Sequence, residues 1–270
     1  MNSPSSNTSP PPKSPRDIKR FILTREEAFQ RENTDVLTRC FSKKPLAGHL
    51  GSLTLRLKLR KHIRVSDGKS AQIALVDVIS GRLPDNATSV VAKLYDPLCW
   101  GHYQDDVGPF IYIDKEIAAE TAAYRYLQNR GEISTNTSIL KFYGSYSTAI
   151  SHPDGRRRTV RLILMEHVDA PAMDSLDPKS LSQLVRKAIM EQIITMESRL
   201  YEIEVNHLNA SPRNVMIEGL GGWSISSWSI LDMQKSVDLR IRKNFLRANT
   251  SGEHTLARFL DELRMATESP

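Results

Sequence analysis

Apolar and polar residues alternate along three stretches between residues 53 and 96. These stretches are LTLRLKL, AQIALVDVI and SVVAKLYD, and turn formers at 67–68 and 81–85 separate them. A period of two, with Gly, Pro and Asp between the stretches, predicts three β-strands. ILKFYGSYSTAI and TVRLILMEHV follow later, and the His-Pro-Asp-Gly between them predicts a hairpin. We therefore expect an antiparallel sheet of five strands.

Helical spacing is clearest in IDKEIAAETAAYRYLQNRG, which lies between the third and fourth strands. It places Ile117, Tyr124 and Leu127 on one face. Asp114 is suited to the N-cap, and Gly131 to the position just past the C-terminal end. The segment therefore predicts a helix that packs one face against the sheet.

A second long helix is predicted after Asp177 and Pro178, which suit the N-cap and the first helical position. Its buried stripe is expected to contain Leu181, Leu184, Val185, Ala188, Ile189, Ile193, Met196 and Leu200. Only 38 residues follow Asp232, so the helical part of the chain is short.

These patterns divide the chain into four parts and predict an α+β fold. Residues 1–17 are rich in Ser and Pro and are expected to be a disordered tail. Residues 18–50 form an N-terminal helical extension, in which REEAFQRENTDVLTRCF predicts one short helix. Residues 51–168 hold the strands and one helix, and residues 169–270 form the short, mainly helical part.

Composition limits the classes of protein to which the chain could belong. Hydrophobic residues make up 40% of 270, enough for a real core. The sequence has neither an apolar run of membrane-spanning length nor an apolar signal segment at its start. We expect an intracellular protein, cytoplasmic or nuclear. Cys40 and Cys99 stand far apart with no metal-ligand spacing around them, so both are expected to be reduced thiols.

The net charge of +6 raises the question of a nucleic-acid partner. Basic residues cluster at Arg56, Lys58, Arg60, Lys61 and Arg64. In LTLRLKLR, Arg56, Lys58 and Arg60 alternate with leucines, which predicts the solvent face of an amphipathic strand, and no aromatic residues interleave with the basic ones to stack on bases. The pattern favours a solvated strand face over nucleic-acid binding.

Candidate chemistry lies in polar residues that recur at the ends of these elements. Lys93 ends the Val-Val-Ala-Lys run of the third strand, and Glu120 lies in the predicted helix. VNHLNASPRNVMI holds His207, Asn209 and Asn214 before a strand-like run. Asp232 follows a later strand-like run, in ILDMQ.

This order of motifs resembles the protein-kinase-like superfamily over about residues 50 to 240. It looks most like small fungal kinase-like proteins and, more remotely, aminoglycoside-phosphotransferase-type kinases. The resemblance implies a bilobal fold, with a five-stranded antiparallel N-lobe sheet bearing one helix (51–168) and a truncated, mainly helical C-lobe (169–270). It also implies ATP and Mg²⁺ as cofactors, with nucleotide as the partner and no membrane partner.

The resemblance assigns roles by position. Lys93 would neutralise nucleotide phosphate charge and pair with Glu120, while Met165 and the backbone from Glu166 to Val168 would hold the adenine. Asn214 and Asp232 would bind metal, Asn209 stands at the catalytic-base position, and His207 would be architectural.

Three departures from the pattern leave two functions open. Asn209 replaces the aspartate that accepts the proton, a single Gly68 stands where kinases have a glycine-rich loop, and no further run of helices follows Asp232 to dock a peptide. One hypothesis is a divergent, slow phosphotransferase. The other is a catalytically inactive pseudokinase that acts as a binding module, through a protein partner that the sequence does not identify. An unrelated α+β scaffold with accidental motifs is the remaining alternative.

Overall fold

The computed structural model describes residues 24–44, 51, 53–65, 70–100, 108–132, 139–206, 211–217 and 234–235. Within them lies an antiparallel five-stranded sheet, in the order β1-β2-β3-β5-β4. Its strands are β1 (Arg56–Arg64), β2 (Gln72–Ser80), β3 (Ser89–Tyr95), β4 (Phe142–Ser151) and β5 (Arg157–Glu166). The predicted sheet is confirmed, and β3 lies at its centre.

Four α-helices occur in the described residues. They are α1 (Arg25–Asn33), α2 (Val36–Ser42), α3 (Pro109–Asn129) and α4 (Gln183–Glu202). Two short strands, β6 (Val205–Asn206) and β7 (Gln234–Lys235), pair with each other. The fold is thus α+β, with the sheet and α3 before residue 168 and α4 after it, which is consistent with a bilobal arrangement.

The two faces of the sheet bury different apolar clusters. Directly paired residues on antiparallel strands share a face, so Val91 opposite Met165 and Lys93 opposite Ile163 lie on one face, which we call the inner face. The inner face packs against α3 and continues into α4 through the main cluster of buried residues. The outer face carries a smaller cluster of Ala74, Val76, Leu83, Val90, Ala92, Leu162 and Leu164. Both faces of β3 are therefore covered, as its run of Val and Ala requires.

Several predicted helix boundaries are wrong. The single short helix near the N-terminus is two, α1 and α2, because the Asp35 side chain accepts the Thr38 N–H and starts a new helix. The helix α3 begins at Pro109, so Asp114 lies inside it instead of at its N-cap. Gly131, as predicted, lies just past its end, with φ +75°, which favours glycine.

The start of the long helix α4 also differs from the prediction. Asp177 and Pro178 begin a 3₁₀ turn over Pro178–Ser180, and Ser182 caps α4 by accepting the Val185 N–H at 3.3 Å. Leu184 is 63% exposed, while Leu200 is 1% exposed. The predicted stripe is wrong at Leu184, whereas Leu181 and Val185 pack against the main cluster and the stripe is buried from Ile189 onward.

The N-terminal helices pack beside the sheet. Cys40 of α2 is buried, and burial together with the nearby Asp96 carboxylate raises the pKa of its thiol to about 12. The Arg156 guanidinium lies 4.3 Å from the centre of the Phe41 ring, and Arg39 lies 5.2 Å from that of Phe110. Cation–π contacts therefore join α2 to the turn that precedes β5 and to the first turn of α3.

The disordered tail and the lack of a membrane span are two further expectations from the sequence. The predicted tail, residues 1–17, lies outside the described residues. No helix in the described part of the chain is both long and apolar enough to cross a membrane.

The exposure difference along α4 gives a stability test. Leu200→Ala should lower the free energy of unfolding by about 2–5 kcal/mol, because it leaves a cavity in the main cluster. Leu184→Ala on the same helix should change it by less than about 0.5 kcal/mol, since that side chain is in water. Urea unfolding measures both. Equal losses would contradict the placement of α4.

Candidate functional site

A buried ion pair lies on the inner face of the sheet. The Lys93 ammonium is 2.7 Å from Oε2 of Glu120, and each side chain is only 4% exposed. The Tyr95 hydroxyl donates a hydrogen bond to the same carboxylate oxygen. Lys93 also lies 5.5 Å from the centre of the Tyr95 ring. One carboxylate on α3 is thus bound by two side chains of β3.

Local sequence explains why these groups meet. Lys93 and Tyr95 are two residues apart on β3, so they point to the same face. Glu120 lies on the buried side of α3 near Ile117 and Thr121, and α3 packs against that face of the sheet. The position of the ion pair therefore follows from two periodicities, two in the strand and 3.6 in the helix.

Met165 of β5 lies on the same inner face as the ion pair. Its side chain is fully buried, and the Tyr124 hydroxyl lies 3.3 Å from its sulfur. The Tyr124 ring in turn stacks on Phe142, with centroids 5.2 Å apart. Since Tyr124 is four residues after Glu120, one face of α3 contacts both the ion pair and Met165.

The chain leaves the sheet after Glu166, the residue that follows Met165. The Glu166 N–H donates to the Lys141 carbonyl at 2.9 Å, and the Glu166 carboxylate accepts the Lys141 N–H at 3.2 Å. Val168 packs against the main cluster. The structure thus places Met165 on the inner face, Glu166 opposite Val90 at the end of β5, and Val168 against the main cluster. The adenine role that the resemblance implied for them stays a prediction.

Asn214 is fully buried on a 3₁₀ turn, Pro212–Asn214, that precedes a strand-like segment. The backbone of that segment is fixed: the Met173 N–H donates to the Val215 carbonyl at 2.8 Å, and the Ile217 N–H to the Pro171 carbonyl at 3.0 Å. The Asn214 side-chain oxygen accepts a hydrogen bond from Arg64 at 3.2 Å. Asn214 therefore faces the end of β1.

The remaining predicted site residues, His207, Asn209 and Asp232, lie outside the described residues. Their placement against Lys93 stays a prediction. Among the predicted site residues, Lys93 and Glu120 form an ion pair, and Met165 lies on the same face of the sheet. Asn214 is connected to the sheet through its hydrogen bond with Arg64.

Sequence analysis missed two residues of this site. Tyr95 could have been found, because period two puts it on the face of Lys93. Arg64 lies beyond the LTLRLKLR stretch, and the register of β1 against β2 shifts between Leu59 and Lys61 and again between His62 and Arg64. The two shifts offset each other, so Arg64 lies on the same face as Lys58, and what the sequence does not indicate is the contact of Arg64 with Asn214.

One predicted metal ligand, Asn214, lies in the described residues. No group of three or more His, Cys, Asp or Glu in the described ranges could hold an ion. The Asn214 oxygen accepts from a guanidinium that would repel a cation bound to the same oxygen. In this conformation Asn214 does not fit a metal, and a metal at Asp232 remains a prediction.

The burial of the ion pair predicts strong coupling between its members. Lys93→Met or Glu120→Leu alone should lower the free energy of unfolding by about 3–5 kcal/mol, because each leaves one charge buried without its counter-ion. The double variant should lose much less than the sum, because no isolated charge remains. Chemical unfolding of the four proteins measures this coupling.

An exposed ion pair between two segments that flank strands of the sheet is the control. Lys141 and Asp85 are 2.9 Å apart, but their side chains are 49% and 59% exposed. The cycle of Lys141→Met and Asp85→Asn should give a coupling below about 1 kcal/mol. Similar couplings at both pairs would show that the Lys93–Glu120 pair is solvated.

A scan against protein-family models and a search of curated proteins found no match to this chain. Interpretation of the site therefore rests on its geometry and chemistry.

Proposed function

We propose that this chain is a protein-kinase-like domain that binds ATP. The proposal rests first on topology. The sheet order β1-β2-β3-β5-β4, with one long helix between β3 and β4, is the arrangement expected of a kinase-like N-lobe. The helix α4 and the Pro212–Asn214 turn come next in the order expected of a C-lobe.

The observation that carries the proposal is the buried Lys93–Glu120 pair. Burying two charges costs several kcal/mol each in desolvation, and apolar residues of similar size often stabilise a protein as well or better. A pair held 2.7 Å apart at 4% exposure is thus poorly explained by stability alone. It is well explained by a need for a fixed ammonium group, which in a kinase-like fold binds nucleotide phosphates.

Apolar side chains lie on the same face as that ammonium. Val91 and Met165 are paired across β3 and β5 on the inner face, and Val168 follows where the chain leaves the sheet. A purine ring needs apolar contact on its faces, which side chains of this kind would supply. This supports ATP over a simple phosphate ligand.

The activity that follows is a divergent, slow phosphotransferase. Phosphoryl transfer depends mainly on positioning and charge neutralisation, while the catalytic-loop aspartate orients the acceptor hydroxyl and takes its proton. Asn209 stands at that position and cannot accept the proton. Loss of a general base typically lowers the rate by about 10² to 10⁴.

The second candidate is a pseudokinase that binds nucleotide and acts through a protein partner. Asn209 favours it, and so does the hydrogen bond between Arg64 and Asn214.

Mg²⁺ would supply charge neutralisation of the phosphates, with Asp232 as its protein ligand.

Nucleotide binding predicts a change in thermal stability. At ten times its dissociation constant, ATP should add about 1.4 kcal/mol, which corresponds to a rise in melting temperature of roughly 3–6 °C for a domain of this size. Lys93→Met should remove the rise, whereas Lys141→Met on the exposed edge of the sheet should keep it. Differential scanning fluorimetry measures both, each variant against its own ligand-free curve. No rise in the wild-type protein at millimolar ATP, with and without Mg²⁺, would contradict the proposal.

The amide at position 209 separates the two candidates. Asn209→Asp is nearly isosteric and should raise ATP turnover by up to about 10², because it restores a proton-accepting oxygen. Adding Lys93→Met should abolish that gain. A turnover that is absent in both proteins despite ATP binding would favour the pseudokinase. Wild-type turnover equal to that of Asn209→Asp would show that the missing base is not limiting.

A further inference from the structure

Arg64 connects the sheet to the Asn214 turn. It is the last residue of β1, it is half-buried, and a nitrogen of its guanidinium lies 3.2 Å from the side-chain oxygen of Asn214, 150 residues later in the chain. Asn214 has no exposed surface. A buried amide oxygen that accepts from a charged donor is held more firmly than one that accepts from a neutral donor.

Arg64 shares a row with Lys93 across the sheet. Arg64 pairs directly with Ile73 of β2, and Ile73 pairs directly with Lys93 of β3. Directly paired residues share a face, so both cations lie on the inner face. Two strand spacings separate their backbones, about 10 Å in all. The inner face therefore carries two positive groups with an isoleucine between them.

The neighbouring basic residues differ from Arg64. Lys58, Arg60 and Lys61 of β1 are exposed, and Arg60 lies 3.7 Å from Asp77 on the surface. Arg64, at the C-terminal end of the strand, lies beside the Pro212–Asn214 turn. Of the five lysine and arginine residues of β1 it is the half-buried one, and the other four are exposed.

We propose that the Arg64 guanidinium takes the place of a metal ion at Asn214 and binds the phosphates of the nucleotide. The proposal rests on the proposed function, since it names how the same site neutralises phosphate charge. In this account Asn214 positions the guanidinium by accepting one of its N–H groups, and Lys93 supplies the second cation of the row. ATP binding then does not require a metal at Asn214.

Guanidinium chemistry suits this role. Its planar fork of N–H donors matches the geometry of phosphate oxygens, and its charge is retained at every physiological pH. A fixed cation on β1 would also offset the loss of phosphate contacts that a single-glycine loop entails. Arg64 is thus a nucleotide-positioning residue that the metal-dependent pattern does not include.

The test is the affinity for ATP with and without Mg²⁺, measured by isothermal titration calorimetry in EDTA and in millimolar MgCl₂. The wild-type protein should bind ATP in EDTA. Arg64→Gln should weaken binding in EDTA by about tenfold, the usual worth of one charge-assisted hydrogen bond. Arg60→Gln, with the same change in net charge on the same strand, should leave the affinity unchanged. Adenosine, which has no phosphate, should bind all three proteins equally.

Arg64→Lys keeps the charge and tests whether a fold defect explains the loss. It should retain most of the affinity in EDTA, and its unliganded melting temperature should match that of the wild-type protein. A wild-type protein that binds ATP only with Mg²⁺, or an Arg64→Gln variant that binds ATP as well or better, would overturn the role of Arg64 and leave the proposed function standing. A wild-type protein that binds neither ATP nor Mg-ATP would overturn both.

Discussion

The buried ion pair between Lys93 and Glu120 determines how the rest of the domain is arranged. Its two members belong to different elements, the central strand and the helix α3, so the pair exists only when the helix packs on the inner face. Its desolvation cost must be offset by the apolar contacts around it, in which Ile117, Tyr124 and Met165 take part. The Tyr95 hydroxyl lowers that cost by donating to the same carboxylate.

A second polar contact, between Arg64 and Asn214, extends this arrangement to the later part of the chain. The apolar main cluster already runs from the sheet through α3 to α4, so position is set by packing and not by the hydrogen bond. What the contact adds is charge: a second cation on the face that holds Lys93. The two contacts together place a cationic side chain at each end of one cross-strand row, one held by the Glu120 carboxylate and the other by the Asn214 amide.

Sequence patterns predicted the parts of the fold that depend on local periodicity. The alternation in SVVAKLYD identified the central strand, and the spacing of Ile117, Tyr124 and Leu127 identified α3. The predicted start of α4 was wrong because two capping signals compete there. Asp177 and Pro178 begin a 3₁₀ turn, and Ser182, five residues after Asp177, caps the helix. The pairing of Lys93 with Glu120 was expected from a resemblance, whereas the contact of Arg64 with Asn214 joins residues 150 positions apart, which no local periodicity encodes. Roles toward nucleotide and metal remain predictions, because sequence periodicity specifies faces and not ligands.

The most direct test of the central claim, that nucleotide binds on the inner face beside Lys93, is the methyl NMR signal of Met165. Met165 is fully buried at the end of that face and contacts Tyr124, so an adenine ring placed there would shift its ¹³C-labelled methyl resonance. The account predicts a saturable shift of this signal on addition of ATP, assigned by its loss in Met165→Leu, while Met190 on α4 stays unchanged. An unmoved Met165 signal in a protein shown by calorimetry to bind ATP would place the nucleotide elsewhere and contradict the account.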